Sequence, residues 1–206
     1  VRVGCSGFDQ LRACPERSRR IGEAKKNNET AYSTQHAIKR LIKITTMAQQ
    51  LIECVPNFSE GNDLSILKQI TNEIESVEGV RLLNVDPGKA TNRTVVTMVG
   101  EPANVIEAAF KAIKKAGELI DMSKHKGEHP RMGATDVCPL IPIANISMEE
   151  TAKFAQQLAK RVGEELNIPV YLYENAQPNK ERNNLSVIRA GEYEGFFKKI
   201  KFFVFK

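Results

Sequence analysis

No apolar run in this chain approaches the roughly 18 to 20 residues that a membrane-spanning helix needs, so no such span is expected. Cysteine is scarce. The four cysteines, Cys5, Cys14, Cys54 and Cys138, form no Cys-x-x-Cys pair, which excludes the usual thiolate metal clusters. Few and unpatterned thiols fit a reducing compartment such as the cytoplasm. Histidine is scarcer still, and two of the three fall in one short stretch, His125 and His129. No internal repeat is present. With 41% apolar and 27% charged residues, the composition is that of a soluble globular protein of 206 residues, long enough for a real core.

A strong acidic or basic balance is also missing once the charge is located. The formal net charge is +5, but residues 1–46 hold ten Lys/Arg against four Asp/Glu. Residues 47–206 are left with 20 against 21, close to neutrality. The main body therefore has no electrostatic footprint for nucleic acid. The basic leader shows no sustained helical or strand period beyond a short amphipathic stretch at Ala37–Ile44. Residues 1–46 are expected to be an unstructured upstream extension, a misplaced start preceding Met47, and a transit peptide is disfavoured by its four acidic residues.

From residue 47 the chain reads as one folded unit to about residue 197, followed by a short tail over 198–206. Leu51–Val55 is an apolar strand closed by Pro56-Asn57. Asn62-Asp63 can cap a helix carrying Leu67, Ile70, Ile74 and Val77, stopped by Gly79. Val80–Val85 is the next strand, ending in an expected turn at Asp86-Pro87-Gly88. The β-branched run Arg93–Val99 comes after it. Pro102 then suits the first turn of a helix with Val105, Ile106, Ala109, Ile113, Ala116 and Ile120 on one face. Val137–Ile143 is a strand whose Pro139 and Pro142 suggest an edge or a bulge. Ser147-Met148-Glu149-Glu150 is a capping box for a helix through Leu166, and Val170–Tyr173 closes the series. The order β-α-β-β-α-β, then α-β, predicts an α/β (α+β), ferredoxin-like mixed sheet with helices on one face and an added α-β unit. The opposite sheet face would need a partner from outside this chain, because an uncovered apolar face is costly in water.

The chemistry concentrates in His125-Lys126-Gly127-Glu128-His129-Pro130-Arg131-Met132-Gly133. Imidazole has the side-chain pKa nearest neutrality, so a His/Glu/Arg cluster is a natural place for proton transfer. The same letters match the His-x-x-Glu-His zinc-peptidase pattern, which would make a zinc hydrolase of His125, Glu128 and His129. That pattern needs a helix to bring both histidines to one face. Gly127 and Pro130 both disfavour one, and no downstream acidic ligand stands out. No metal is expected. Asn57, Ser59 and Glu60 leave the first strand together, and Asp86 flanks a turn; either set is equally readable as ordinary turn and capping chemistry.

Several stretches together resemble the N-terminal subdomain of the glutamate formimidoyltransferase family. They are Cys54-Val55-Pro56-Asn57-Phe58-Ser59-Glu60-Gly61, Thr91-Asn92-Arg93-Thr94-Val95, Ile120-Asp121-Met122-Ser123, the stretch Gly127–Ala134, Asp136-Val137-Cys138-Pro139, Ser147–Glu150, Pro169–Tyr173 and Arg189–Glu194. The resemblance runs from about Leu51 to Glu194, in the family's order and spacing. It implies transfer of a formimidoyl group between N-formimidoylglutamate and tetrahydrofolate, the latter as co-substrate. It implies two facing subdomains, of which the second is absent here, and it makes His129 the catalytic histidine. Asp86 is expected to orient or charge-balance that imidazole. Arg93 and Arg131 are candidates for substrate carboxylates, Glu128 and Asn57 for further substrate contacts, and His125 for a secondary, solvent-side neighbour. The partner implied is a second subdomain or a second copy covering the open sheet face. The alternative is a non-catalytic folate-binding or dimerising half-module that retains the histidine loop.

Overall fold

A computed structural model describes residues 1–5, 49–128, 132–180, 183–191, 193 and 195. The chain divides into Phe8–Gln49 and a larger unit formed by Val1–Gly7 with Gln50–Lys206. The larger unit holds β1 (Arg2–Cys5), β2 (Leu51–Cys54), β3 (Asn57–Phe58), α1 (Leu64–Glu75), β4 (Val80–Gly88), β5 (Arg93–Gly100), α2 (Pro102–Leu119), β6 (Thr135–Ala144), α3 (Met148–Leu166), β7 (Tyr171–Glu174) and α4 (Leu185–Arg189).

The helices start where local chemistry says they should. Asp63 caps α1 by accepting from the Ser65 and Ile66 amides, which would otherwise lack partners. Pro102 opens α2, where its missing N–H costs nothing. Ser147 and Glu150 form the expected reciprocal capping box at α3. The buried faces are also the expected ones, with Leu67, Ile70 and Ile74 on α1 and Val105, Ile106, Ala109, Ile113 and Ala116 on α2.

Across the sheet the strands run β4-β5-β2-β6-β1-β7, with the short β3 continuing the β2 position between β5 and β6. The four strands β4, β5, β2 and β6 pair antiparallel and reproduce the expected ferredoxin-like arrangement. The added α3–β7 unit crosses to a strand parallel to β6 but one position away. β1 fills that position, pairing parallel with both neighbours.

Three expectations change here. Residues 2–5 of the supposed unstructured leader form β1, because the slot between β6 and β7 offers unpaired backbone groups on both sides; residues 6–46 lie outside the described residues, as does the tail 198–206. Asp86-Pro87-Gly88 is not a turn. It continues β4, opposite Val95, Thr94 and Arg93, and the turn falls at residues 89–92. Among the described residues β4 pairs only with β5, and on its other side a proline that cannot donate is tolerated. Conversely β6 is no edge, since it pairs with β1, β2 and β3; Pro142 instead adjoins a bulge in which Ile143 is the extra residue.

The two sheet faces differ sharply. On β5, Thr94, Val96 and Met98 are fully buried beneath the helices, while Arg93, Val95, Thr97 and Val99 on the other face are only partly buried. Ile52 and Cys54 continue the buried face on β2, and Cys138 and Leu140 continue it on β6. The Cys54 and Cys138 thiols meet there at 3.5 Å. At the β7 end, α4 contributes Ile188 to a small separate cluster with Met132 and Tyr173. Asn57 on β3 and Arg93 on β5 lie on the face away from the helices.

Candidate active site

The centre of the open face is built on a β-bulge. Asn57 on β3 opposes Val137 on β6, but the next residue, Phe58, opposes Thr135. Asp136 is thus the extra residue, and a bulge re-aims the side chain it releases from the ladder. The Asp136 carboxylate is 2% exposed and ion-paired with the equally buried Arg2. Its other oxygen lies 3.6 Å from Nη1 of Arg93. Arg93 Nε and Nη2 both donate to Asn57 Oδ1, at 2.8 and 2.5 Å, and Asn57 Nδ2 donates to the Val55 carbonyl at 2.9 Å. Asp136, Arg93 and Asn57 therefore form a continuous polar array across three strands, with the guanidinium held flat by two acceptors.

Asp86 belongs to the same row. It opposes Val95, and Val95 opposes Asn57 on its other side, so all three point to one face. Two strand spacings of about 4.8 Å separate Asp86 from Asn57, roughly 10 Å between their backbones. Its side chain is exposed rather than packed beneath a turn.

The loops gather at one end of this row. Glu60 Oε1 accepts from the Asn62 and Asp63 amides. Asp121 accepts from the Ser123 hydroxyl and amide and pairs with Lys124 at 3.0 Å. The Ser123 hydroxyl, then Lys124, hold its carboxyl down at about 2. Ser59, Glu60, Asn92, Asp121, Lys124 and His125 line a cavity of about 200 Å³. His125 is buried, not solvent-side as the sequence suggested, with Nε2 2.9 Å from the Asn92 carbonyl. No helix spans residues 125–128, so the described part of the zinc-peptidase pattern lacks the geometry that pattern requires. Among the described residues no group of three or more His, Cys, Asp or Glu could hold a metal ion. The Glu128 side chain is exposed and its amide donates to the Ala90 carbonyl at 3.3 Å. His129 and Arg131 lie outside the described residues.

Of the residues singled out from sequence, Asn57 and Arg93 are thus in direct contact, Asp86 shares their row, and Glu128 lies in the neighbouring loop. Asp136 was missed as a site residue. Its only local signal is an aspartate opening a β-branched, apolar strand, where a carboxylate has no packing role.

A split β-α-β-β-α-β sheet with one face covered by helices and a polar array on the other defines an α+β protein that presents chemistry from an open sheet face. Residues 51–203 match the family described as formiminotransferase domain, N-terminal subdomain, and the chain belongs to that family. Among its relatives, the mouse formimidoyltransferase-cyclodeaminase is 55% identical over 152 residues, covering 74% of this chain and 28% of that protein. The glutamate formimidoyltransferase of Streptococcus pyogenes serotype M1 is 44% identical over 151 residues, 73% of this chain and 50% of its own length. That of Thermoplasma acidophilum is 46% identical over 144 residues, 70% of this chain and 48% of its own. The chain thus spans about half the length of the single-activity relatives and under a third of the mouse protein. No described helix is long and apolar enough to cross a membrane.

Proposed function

We propose that the chain carries the histidine half of a glutamate formimidoyltransferase, moving a formimidoyl group between N-formimidoyl-L-glutamate and tetrahydrofolate in cytoplasmic one-carbon folate metabolism and histidine breakdown. The observation that carries this reading is the family match over 51–203, which includes the whole Gly127–Gly133 motif, together with a polar array facing outward from the sheet beside it. His129 is the general acid–base. Folate N5 attacks the formimidoyl carbon, a carbon–nitrogen bond forms, and His129 accepts the N5 proton. The bond to the glutamate nitrogen then breaks, and the same imidazole returns a proton to that nitrogen. A group titrating near neutrality serves both halves of the exchange.

The side chains on the open face orient the substrates. Arg93 is preorganised by Asn57 and Asp136, so a substrate carboxylate meets a guanidinium whose entropy is already spent. Arg131 is a second carboxylate ligand, and Glu128 contacts the pterin. Asp86, on the same row, balances the imidazolium charge. Asp86→Asn is expected to lower kcat about tenfold or more, as loss of a charge-balancing carboxylate should; unchanged turnover removes Asp86 from the mechanism.

The open face also carries the partner requirement. A second subdomain, or a second copy, closes the site from the exposed side. The test is a formimidoyl-transfer assay on the full chain, alone and with the remaining half of the Streptococcus pyogenes enzyme added. Transfer appearing on addition supports the reading. A folate-binding chain that never transfers under either condition is instead the non-catalytic half-module.

A further inference from the structure

Three loops that enter the site from different parts of the chain meet at one side chain that the proposed mechanism does not use. Asn92 closes the β4–β5 connection with φ of +47°, in the left-handed region that few residues other than glycine and asparagine accept. Its Oδ1 accepts from the Gly61 amide at 3.0 Å and from Asn62 Nδ2 at 2.8 Å. Its Nδ2 donates to the Lys126 carbonyl at 2.9 Å. Its own carbonyl meets His125 Nε2 at 2.9 Å. Only one orientation of the amide satisfies two donors on one side and a carbonyl on the other.

The backbones close in around it. A Cβ on Gly127 would collide with the Thr91 carbonyl oxygen, and one on Gly61 would stand 2.5 Å from that of Gly88. Both loops are therefore pressed against the 88–92 segment at distances no side chain permits. The Glu128 amide adds a bond to Ala90.

We propose that Asn92 is the positioning residue of the loop that leads into His129, fixing Lys126 and Gly127 against the Ser59–Asn62 loop. This rests on the proposed role of His129. The position demands left-handed backbone, an acceptor and a donor at once. Glycine supplies only the first, and aspartate only the first two. Asn92 thereby joins the loop bearing Asn57 to the loop leading into the histidine, and a displacement of about 1 Å at a reacting group can cost about a hundredfold in rate.

Two variants of the full chain test it. Asn92→Gly keeps the backbone conformation and removes both sets of bonds. Asn92→Asp keeps the acceptor but turns a charge toward the Lys126 carbonyl. Each is assayed well below its own unfolding temperature, with the remaining half of the Streptococcus pyogenes enzyme added. Asn92→Gly is expected to lose about a hundredfold in kcat with KM little changed, and trypsin is expected to cut faster after Lys124 and Lys126 in both variants. Wild-type kcat in Asn92→Gly, or activity lost only in step with the unfolded fraction, overturns the proposal. If the wild-type chain does not transfer at all, the function reading fails, and the trypsin comparison still decides: unchanged cleavage after Lys126 overturns the positioning role.

Discussion

His129→Ala is expected to abolish the proposed formimidoyl transfer while leaving the circular-dichroism spectrum and the unfolding temperature in place. General acid–base catalysis by one positioned side chain is worth about 10²–10⁴-fold, and in the proposed mechanism a single imidazole handles both protons, so the loss should fall at the upper end of that range. His129→Asn, which preserves size and hydrogen bonding but cannot shuttle a proton near neutral pH, should be as inactive. His125→Asn serves as the comparison. His125 is buried against the Asn92 carbonyl, so its loss should act on the loop's stability more than on the chemistry. The measurement is steady-state transfer by the three variants, each with the remaining half of the Streptococcus pyogenes enzyme added, at matched folded concentration. Activity in His129→Ala comparable to wild type contradicts the mechanism.

The second large effect lies at Asp136. Its carboxylate is 2% exposed and faces Arg2, 1% exposed, and Arg93, 15% exposed. Asp136→Ala takes from the buried Arg2 guanidinium the carboxylate it is paired with, and breaking a buried pair on one side typically costs about 3–5 kcal/mol. For a chain of this size each kcal/mol moves the melting temperature by about 2–4 °C, so a drop of roughly 10 °C is expected. Asn57 should loosen too, because Arg93 loses the anchor that holds it in place. Urea denaturation of Asp136→Ala and Asp136→Asn measures the effect; a midpoint shift worth less than about 1 kcal/mol in the alanine variant would show the array to be unimportant to stability.

These two residues also mark what could and could not be read from the chain. The helices were legible because their signals are local. Asp63 and Ser147 cap, Pro102 starts, and apolar residues at three- and four-residue spacing name the buried face. The β-α-β-β-α-β order and the family followed from those elements and from the series of loop motifs, and the match over 51–203 agrees. Registry was not legible. Asp136 is a bulge residue only because Asn57 and Phe58 oppose Val137 and Thr135, a relation between strands some 80 residues apart. Asp86-Pro87-Gly88 has turn composition, yet edge placement lets it continue β4. Four residues, Arg2–Cys5, carry no period that could announce a strand, and their pairing depends on a vacant slot created by the α3 crossover. Asn92 shows the same limit in a loop, since its partners come from Gly61 and Lys126, about 31 and 34 residues away in sequence.

The open sheet face unites these observations. Arg93, Val95, Thr97 and Val99 remain partly exposed while their neighbours are fully buried, and the polar array lies on their side of the sheet. A site presented from a partly exposed sheet face should need a covering partner for chemistry but not for folding. The most direct measurement is therefore formation of formimidoyl-tetrahydrofolate by the full chain mixed with the remaining half of the Streptococcus pyogenes enzyme. Product should appear in the mixture, depend on His129, and be lacking with either component alone. No product from a mixture in which both components are folded and bound to each other would contradict the account.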